Sequence, residues 1–215
     1  MLSMTGAALL LPFLPMTPGQ ILLNNLIYDA SQTAIPTDTI DPEVAATPAR
    51  WDIGAIQRFM LVFGPISSIF DFVTFGALLL VLGAREAEFR TGWFVESLFT
   101  QVLVVLVIRT RLSPFWRSRP SRPLMAAVAG ALLAAVAIPM SPLGPTLGFV
   151  TLPAAYWILL VGLVTAYLGL VELVKRRFEA GPFGLPPTRT GSSRGRRRHE
   201  LVDRDRHGRP AGAGR

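Results

Sequence analysis

Apolar residues along this 215-residue chain gather into six blocks instead of alternating with polar ones. The blocks run from Met1 to Leu14, Pro18 to Ile35, Phe59 to Gly83, Trp93 to Ile108, Leu124 to Met140 and Leu152 to Val174. A helix crosses the hydrocarbon of a bilayer with roughly 17 to 25 residues, so the second to sixth blocks are near or within range once a few flanking residues are added. The pattern predicts an all-α, multi-pass transmembrane helical bundle of about six helices. The first block is the exception. It ends at Pro12 and Pro15 and, at 1.5 Å per residue, covers only about two-thirds of a hydrocarbon core, so it reads as a truncated helix. A secretory signal peptide would need a basic leading region and a small-x-small cleavage site before those prolines, and the segment has neither.

Loop charge sets the expected orientation. Arg109, Arg111, Arg117, Arg119 and Arg122 crowd the connection between the fourth and fifth blocks, and Lys175, Arg176 and Arg177 follow the sixth, which predicts that both regions are cytoplasmic. Alternation then puts the Thr37 to Arg58 connection inside as well, the Ala84 to Gly92 and Ser141 to Thr151 connections outside, and both termini in the cytoplasm. No internal repeat relates the blocks, so a two-fold repeated transporter is not supported.

Composition changes this picture in one respect. The chain is 51% hydrophobic with a mean hydropathy of +0.45, as a membrane protein requires, yet its net charge is +7. From Lys175 onward there are 12 basic and 4 acidic residues, which leaves 9 basic and 10 acidic before that point. The basicity therefore belongs to a tail, Glu179 to Arg215, whose Gly, Pro, Ser and Arg supply too little apolar surface to offset ordering entropy. The expectation is a membrane domain over 1–178 and a disordered basic tail over 179–215. Anionic lipid headgroups are the tail's expected partner; nucleic acid is not, since no folded reader or aromatic platform accompanies the charge. The chain has no cysteine, which excludes thiolate metal sites, and His199 and His207 stand in the tail without ligand spacing.

Polar side chains within the apolar blocks carry the candidate chemistry. In the second block Asn25, Tyr28, Asp29 and Gln32 fall at i, i+3, i+4 and i+7 and share one helical face. An ionisable group at membrane depth costs about 2.5 to 3.5 kcal/mol on insertion scales, so Asp29 calls for a partner or an ion. A carboxylate flanked by amide oxygens suits hard cations, Mg²⁺ above all, which is usually held through one or two carboxylates while keeping several waters. Asn25 and Asp29 are thus the leading metal-binding candidates, with Gln32, Asp71 and Glu96 as weaker ones. The bland alternative is hydrogen bonding between helices, and it is the preferred account of the Ser67, Asp71, Thr74 stripe in the third block. Glu96, near Thr100 and Gln101, lies a few residues inside the outer interface. Glu172 stands three and four residues before Lys175 and Arg176, as a local ion pair would. Pro12, Pro15, Pro18 and Pro36 bracket the second block and either end helices or free carbonyls for a cation. The small residues between Met125 and Ala137, Gly130 among them, predict close helix packing.

The run L-P-F-L-P-M-T-P, then N-N-L-I-Y-D-A-S-Q-T-A-I-P, R-F-M-L-V-F-G-P-I-S-S-I-F-D, G-W-F-V-E-S-L-F-T-Q and V-I-R-T-R resembles, in that order, the C-terminal membrane region of bacterial magnesium-transporting P-type ATPases. The resemblance covers about Met1 to Phe178. It implies that the six blocks are helices five to ten of a ten-helix membrane domain, driven in that family by cytoplasmic domains that take phosphate from ATP onto an aspartate. Asn25 and Asp29 then fall on cation-binding positions of the family's sixth helix, with Mg²⁺ as the transported ion. This chain shows no D-K-T-G-T phosphorylation motif and no nucleotide-binding domain, so no ATP site and no ATPase activity are expected of it alone. The resemblance implies an inner-membrane location and a separately encoded N-terminal pump portion as partner. A passive channel or regulatory membrane subunit, and a non-functional truncated remnant, are the alternative readings.

Overall fold

The computed structural model describes residues 2–39, 53–110 and 115–180. They form six α-helices and, among the described residues, no strand: α1 (Leu2–Leu10), α2 (Pro18–Gln32), α3 (Ile53–Gly76), α4 (Glu86–Ile108), α5 (Arg122–Met140) and α6 (Ala154–Ala180). The basic tail from residue 181 onward, including the expected disorder and headgroup binding, lies outside the described residues, as does most of the connection between α2 and α3.

Among the described residues four stretches are long and apolar enough to cross a membrane: Met60–Val81, Glu86–Ile108, Arg122–Met140 and Ala154–Arg177. The second block falls short of the span anticipated for it. Its helix has 15 residues, or about 22 Å at the α-helical rise. The reason is local. Thr17 caps α2, its hydroxyl accepting from the Gln20 N–H at 3.4 Å while the Gln20 side-chain oxygen Oε1 accepts from the Thr17 N–H at 3.1 Å, with Pro18 in the first turn. At the other end Ser31 and Thr33 turn their hydroxyls back onto the Tyr28 and Ala30 carbonyls at 2.7 Å, and a short 3₁₀ turn over Ile35–Thr37 follows. The prolines here act as punctuation: Pro12 and Pro15 lie in the irregular link between α1 and α2, Pro18 opens α2, and Pro36 sits in the 3₁₀ turn. A carbonyl freed in that link, that of Leu14, is taken by Arg90 Nε at 2.9 Å.

Other boundaries moved outward. The connection expected at Ala84 to Gly92 shrinks to a few residues around Gly83, whose φ of 59° provides the left-handed turn. Glu86 and Glu88 in the first turn complement the helix dipole, and Glu88 accepts the Arg85 N–H at 2.9 Å, so α4 begins seven residues before the apolar run. α3 carries Pro65 inside it and widens to a π-turn over Ala77–Val81.

α4 is the axis of the packing. Its span is 67% buried, against 22%, 28% and 33% for the other three. It packs on α6 and α5, with α2 and α3 beside it, while α2 also lies along α5 and α1 along α3. One core cluster joins Phe75 and Leu78 of α3 to Phe89, Trp93, Phe94 and Leu98 of α4 and Tyr156 and Leu160 of α6. Gly92 permits the closest approach, since a Cβ there would meet Leu78 Cδ2 at 3.0 Å and Tyr156 Cε2 at 3.1 Å. The expectation for Gly130 fails: a Cβ at that position meets nothing within 4 Å, and α5 packs through Leu124, Val128, Ala131 and Ala135 instead. Leu80 and Ile158 are among the apolar side chains left facing outward, as a lipid-facing surface requires.

Polar clamps close one end of the bundle. Asp38, just past α2, accepts the Ser121 N–H at 2.8 Å and pairs with Arg109, whose second nitrogen donates to the Ser118 carbonyl at 2.9 Å and hydroxyl at 3.0 Å. Burial works to raise the Asp38 carboxyl, but the Ser121 N–H and the Arg109 guanidinium outweigh it and hold the group below its ordinary value. The Glu172 pairs with Arg176 and Lys175 form as expected, at 3.2 and 3.8 Å, but they are more than a local surface contact: the Glu172 and Lys175 side chains are buried, and Lys175 Nζ donates to the Val107 carbonyl at 3.1 Å in the last turn of α4.

Asp38→Ala strips Arg109 of its carboxylate and Ser121 of its acceptor, and is expected to destabilise the detergent-solubilised chain by about 2 to 3 kcal/mol in thermal unfolding. Because folding depresses the Asp38 value, the stabilisation is present above about pH 4, the unfolded carboxylate value, and is lost as pH falls through the folded one. Wild type and variant should therefore converge in unfolding temperature at acidic pH.

Candidate functional site

α2 divides its polar residues between two faces. Gln20, Asn24 and Ser31 are buried, Tyr28 and Gln32 are half-buried, and Asn25 and Asp29 are exposed beside Leu22 and Leu26. The buried face has partners. Gln20 Nε2 donates to the Leu147 carbonyl at 3.1 Å, and Asn24 Nδ2 donates to Ser97 Oγ on α4 at 3.3 Å, an oxygen that also accepts from Gln101 Nε2 at 2.7 Å. Tyr28 and Ile27 pack against the cluster of Val102, Leu124, Val128 and Ala131, which holds α2 in register on α4 and α5.

Asp29, expected to need a partner or an ion at membrane depth, is therefore exposed among the described residues. Asn25 and Asp29 lie together, one turn apart, on a face that no described element covers. The reason is rotational: Asn24, not Asn25, turns inward to Ser97, and a step of about 100° separates the two. Sequence periodicity gathered Asn25, Tyr28, Asp29 and Gln32 onto one face but did not distinguish the adjacent asparagines. Gln20 was legible as the partner of Thr17 in a capping box, whereas Ser97 as a contact of α2 was not.

The weaker candidates gather elsewhere. Asp71 on α3 and Glu96 on α4 lie within electrostatic reach of each other, with Ser3 of α1 at Asp71. Glu96 is 1% exposed, and neither of its carboxyl oxygens accepts a hydrogen bond of ordinary geometry. The Thr100 hydroxyl, one turn on, donates to the Glu96 and Ser97 main-chain carbonyls at 3.0 and 3.1 Å. Tyr156 gives its proton to the Gly92 carbonyl at 2.7 Å. Among the described residues no group of three or more His, Cys, Asp or Glu stands where it could hold a metal by itself. Gln32, Asn25 and Asp29 are thus separated by packing from the Asp71 and Glu96 pair, and the five candidates do not converge on one centre.

A bundle of apolar helices with outward-facing leucines and polar groups at helix mid-lengths defines a polytopic α-helical membrane protein. Residues 13–177 match the family described as cation transporting ATPase, C-terminus, and the chain belongs to it. It is 44% identical over 177 residues to the protein named magnesium-transporting ATPase, P-type 1, of Escherichia coli K12, and equally to that of a Salmonella typhimurium strain, covering 80% of this chain and 20% of each relative. A further Salmonella typhimurium protein of that name is 40% identical over 186 residues, again across 20% of its length. The chain thus spans about a fifth of the length of these curated relatives and corresponds to their C-terminal transmembrane part.

The two adjacent asparagines provide a test of this face assignment. Asn24→Ala, which orphans the bond to Ser97, is expected to lower stability by about 1 kcal/mol and to speed amide exchange along α2, while Asn25→Ala should change stability by less than about 0.5 kcal/mol. Thermal unfolding and hydrogen exchange of the two variants in the same detergent measure the contrast.

Proposed function

We propose that this chain supplies the C-terminal transmembrane part of a magnesium-transporting P-type ATPase and that Asn25 and Asp29 contribute oxygen ligands to the Mg²⁺ pathway. The observation that carries the reading is the uncovered face of α2. A carboxylate and an amide one turn apart, in the second half of α2 and exposed among the described residues, are costly against lipid, so another element has to cover them. The relatives named as magnesium-transporting ATPases are about four times as long as this chain, which leaves ample chain to do so. One carboxylate and one amide leave most of the coordination shell of Mg²⁺ to waters and to ligands from the covering helices. Phosphoryl transfer belongs, in this reading, to the portion this chain does not span, whether continuous with it or separately encoded. The bundle sits in the cell membrane with the Arg109 end, where Asp38 and Lys175 also lie, on the cytoplasmic side, as the positive-inside rule directs.

The test is a chimera in which this chain replaces the last fifth of the Escherichia coli relative. Mg²⁺ uptake by the chimera in cells lacking other Mg²⁺ importers supports the assignment. Asp29→Asn within it is expected to abolish uptake, at least a hundredfold, with insertion and expression unchanged, and Asn25→Ala to weaken it at least tenfold. Undiminished uptake by the Asp29→Asn chimera removes Asp29 from the pathway.

A further inference from the structure

α2 is built the wrong way round for a helix whose setting comes from apolar burial. Leu22 and Leu26 are 71% and 66% exposed, while its buried residues are the polar Gln20, Asn24 and Ser31, at i, i+4 and i+11 on one stripe. Half-buried Ile27 and Tyr28 place the helix against α4 and α5, but apolar contact discriminates weakly between one rotation and the next when the alternative surroundings are lipid. Directional hydrogen bonds have to supply that choice. Gln20 is 0% exposed and is used at both ends of its amide: Oε1 accepts from the Thr17 N–H within the cap, and Nε2 donates to the Leu147 carbonyl at 3.1 Å, 127 residues away.

The carbonyl that Gln20 reaches belongs to a rigid mount. Between α5 and α6 the chain folds back on itself, the Leu147 and Phe149 N–H groups donating to the Gly144 carbonyl at 3.0 and 2.9 Å and the Gly148 N–H to that of Pro145 at 3.1 Å. Gly148, directly after Leu147, takes the left-handed conformation at φ 76°. The turn is fastened to α4: Phe149 is 2% exposed with its ring 4.6 Å from that of Phe94, centroid to centroid, and the Val150 N–H donates to the Thr91 hydroxyl at 3.1 Å. A second fastening near this end of α2, from Arg90 Nε to the Leu14 carbonyl, holds the irregular link before the helix and so does not fix the rotation of the helix itself.

We propose that Gln20 is a positioning residue: by gripping the α5–α6 turn it sets the rotation and depth of α2, and with them where Asn25 and Asp29 stand relative to the helices that cover them. The inference rests on the Mg²⁺ reading of that pair. Both residues follow Gln20 in one unbroken helix, about 8 and 14 Å along it at the α-helical rise, so a slip at the Thr17 end displaces both together. Asn24 grips Ser97 one turn on, so loss of the Gln20 contact leaves α2 in place but rotationally loose. The consequence is weaker Mg²⁺ binding and not a missing helix.

The experiment compares Gln20→Met, Thr17→Ala and Asp29→Asn in two settings: the purified 215-residue chain in lipid nanodiscs, read by amide hydrogen exchange, and the chimera with the Escherichia coli relative, read by Mg²⁺ uptake against concentration. Methionine fills the buried volume without a donor for Leu147, whereas Thr17→Ala weakens the cap and leaves that donor in place. In the chain, Gln20→Met should speed exchange about fivefold both in the first turn of α2 and over residues 144–150, and Thr17→Ala in α2 alone. In the chimera, Gln20→Met should raise the half-saturating Mg²⁺ concentration about fivefold with maximal uptake within about twofold of wild type, a split that loss of folded protein does not produce. Thr17→Ala should leave half-saturation unchanged. Should Gln20→Met fail to insert, Gly148→Ala, which strains the turn at a positive φ and keeps Gln20, should raise half-saturation in the same way. Wild-type half-saturation in Gln20→Met, or in Gly148→Ala where Gln20→Met does not insert, would overturn the proposal, as would an equal rise in Thr17→Ala or unchanged exchange over residues 144–150 in Gln20→Met. An Asp29→Asn chimera that still transports removes the Mg²⁺ reading and this inference with it, whereas a wild-type response of Gln20→Met beside an inactive Asp29→Asn chimera overturns this inference alone.

Discussion

Everything in this bundle depends on α4 being enclosed on nearly all sides. A helix surrounded by other helices gains little from burial alone when the alternative surroundings are lipid, so its position must come from close packing and from hydrogen bonds that lipid does not supply. Gly92 lets α3 and α6 approach, the Tyr156 hydroxyl reaches the Gly92 carbonyl from α6, and Ser97 accepts from Asn24 of α2. These contacts come from three directions, and between them they set the rotation of every neighbour about α4.

That rotation determines which polar groups of the other helices face inward. On α2 it turns Gln20, Asn24 and Ser31 toward the bundle and leaves Asn25 and Asp29 outside. On α3 it brings Asp71 and Thr74 toward Trp93 and Glu96. Two acidic environments of different character follow: one left open by the described residues, the other dry and enclosed by them. The open one has the properties expected where a bundle continues into further helices, and the family membership and the roughly fourfold length of the relatives agree with that continuation.

The ends of the bundle are held differently, by charge. Asp38 bridges the end of α4 to the cap of α5, and Lys175 with Glu172 ties α6 to the last carbonyls of α4. Partners 71 residues apart, such as Asp38 and Arg109, leave no local pattern, and Arg109 looked only like one of several loop arginines that set orientation. The Glu172 pairs, at i+3 and i+4, were legible because the helix itself brings them together.

Sequence alone determined the helical class, the number of helices, their approximate limits, the short first segment and the presence of acids among apolar residues, because each rests on local composition and on the fixed rise and period of a helix. It also carried the family, through an ordered set of motifs. It misplaced the start of α4, where two glutamates acting on a helix dipole outweighed the polar appearance of the segment, and it made α2 longer than its caps allow. Which of two adjacent asparagines faces the core, whether Asp29 is enclosed or open, and that the Glu96 carboxyl is buried without a hydrogen-bond partner were decided by tertiary structure. The physical reason is that helix periodicity groups residues onto faces, whereas only the packing of neighbours selects which face is covered.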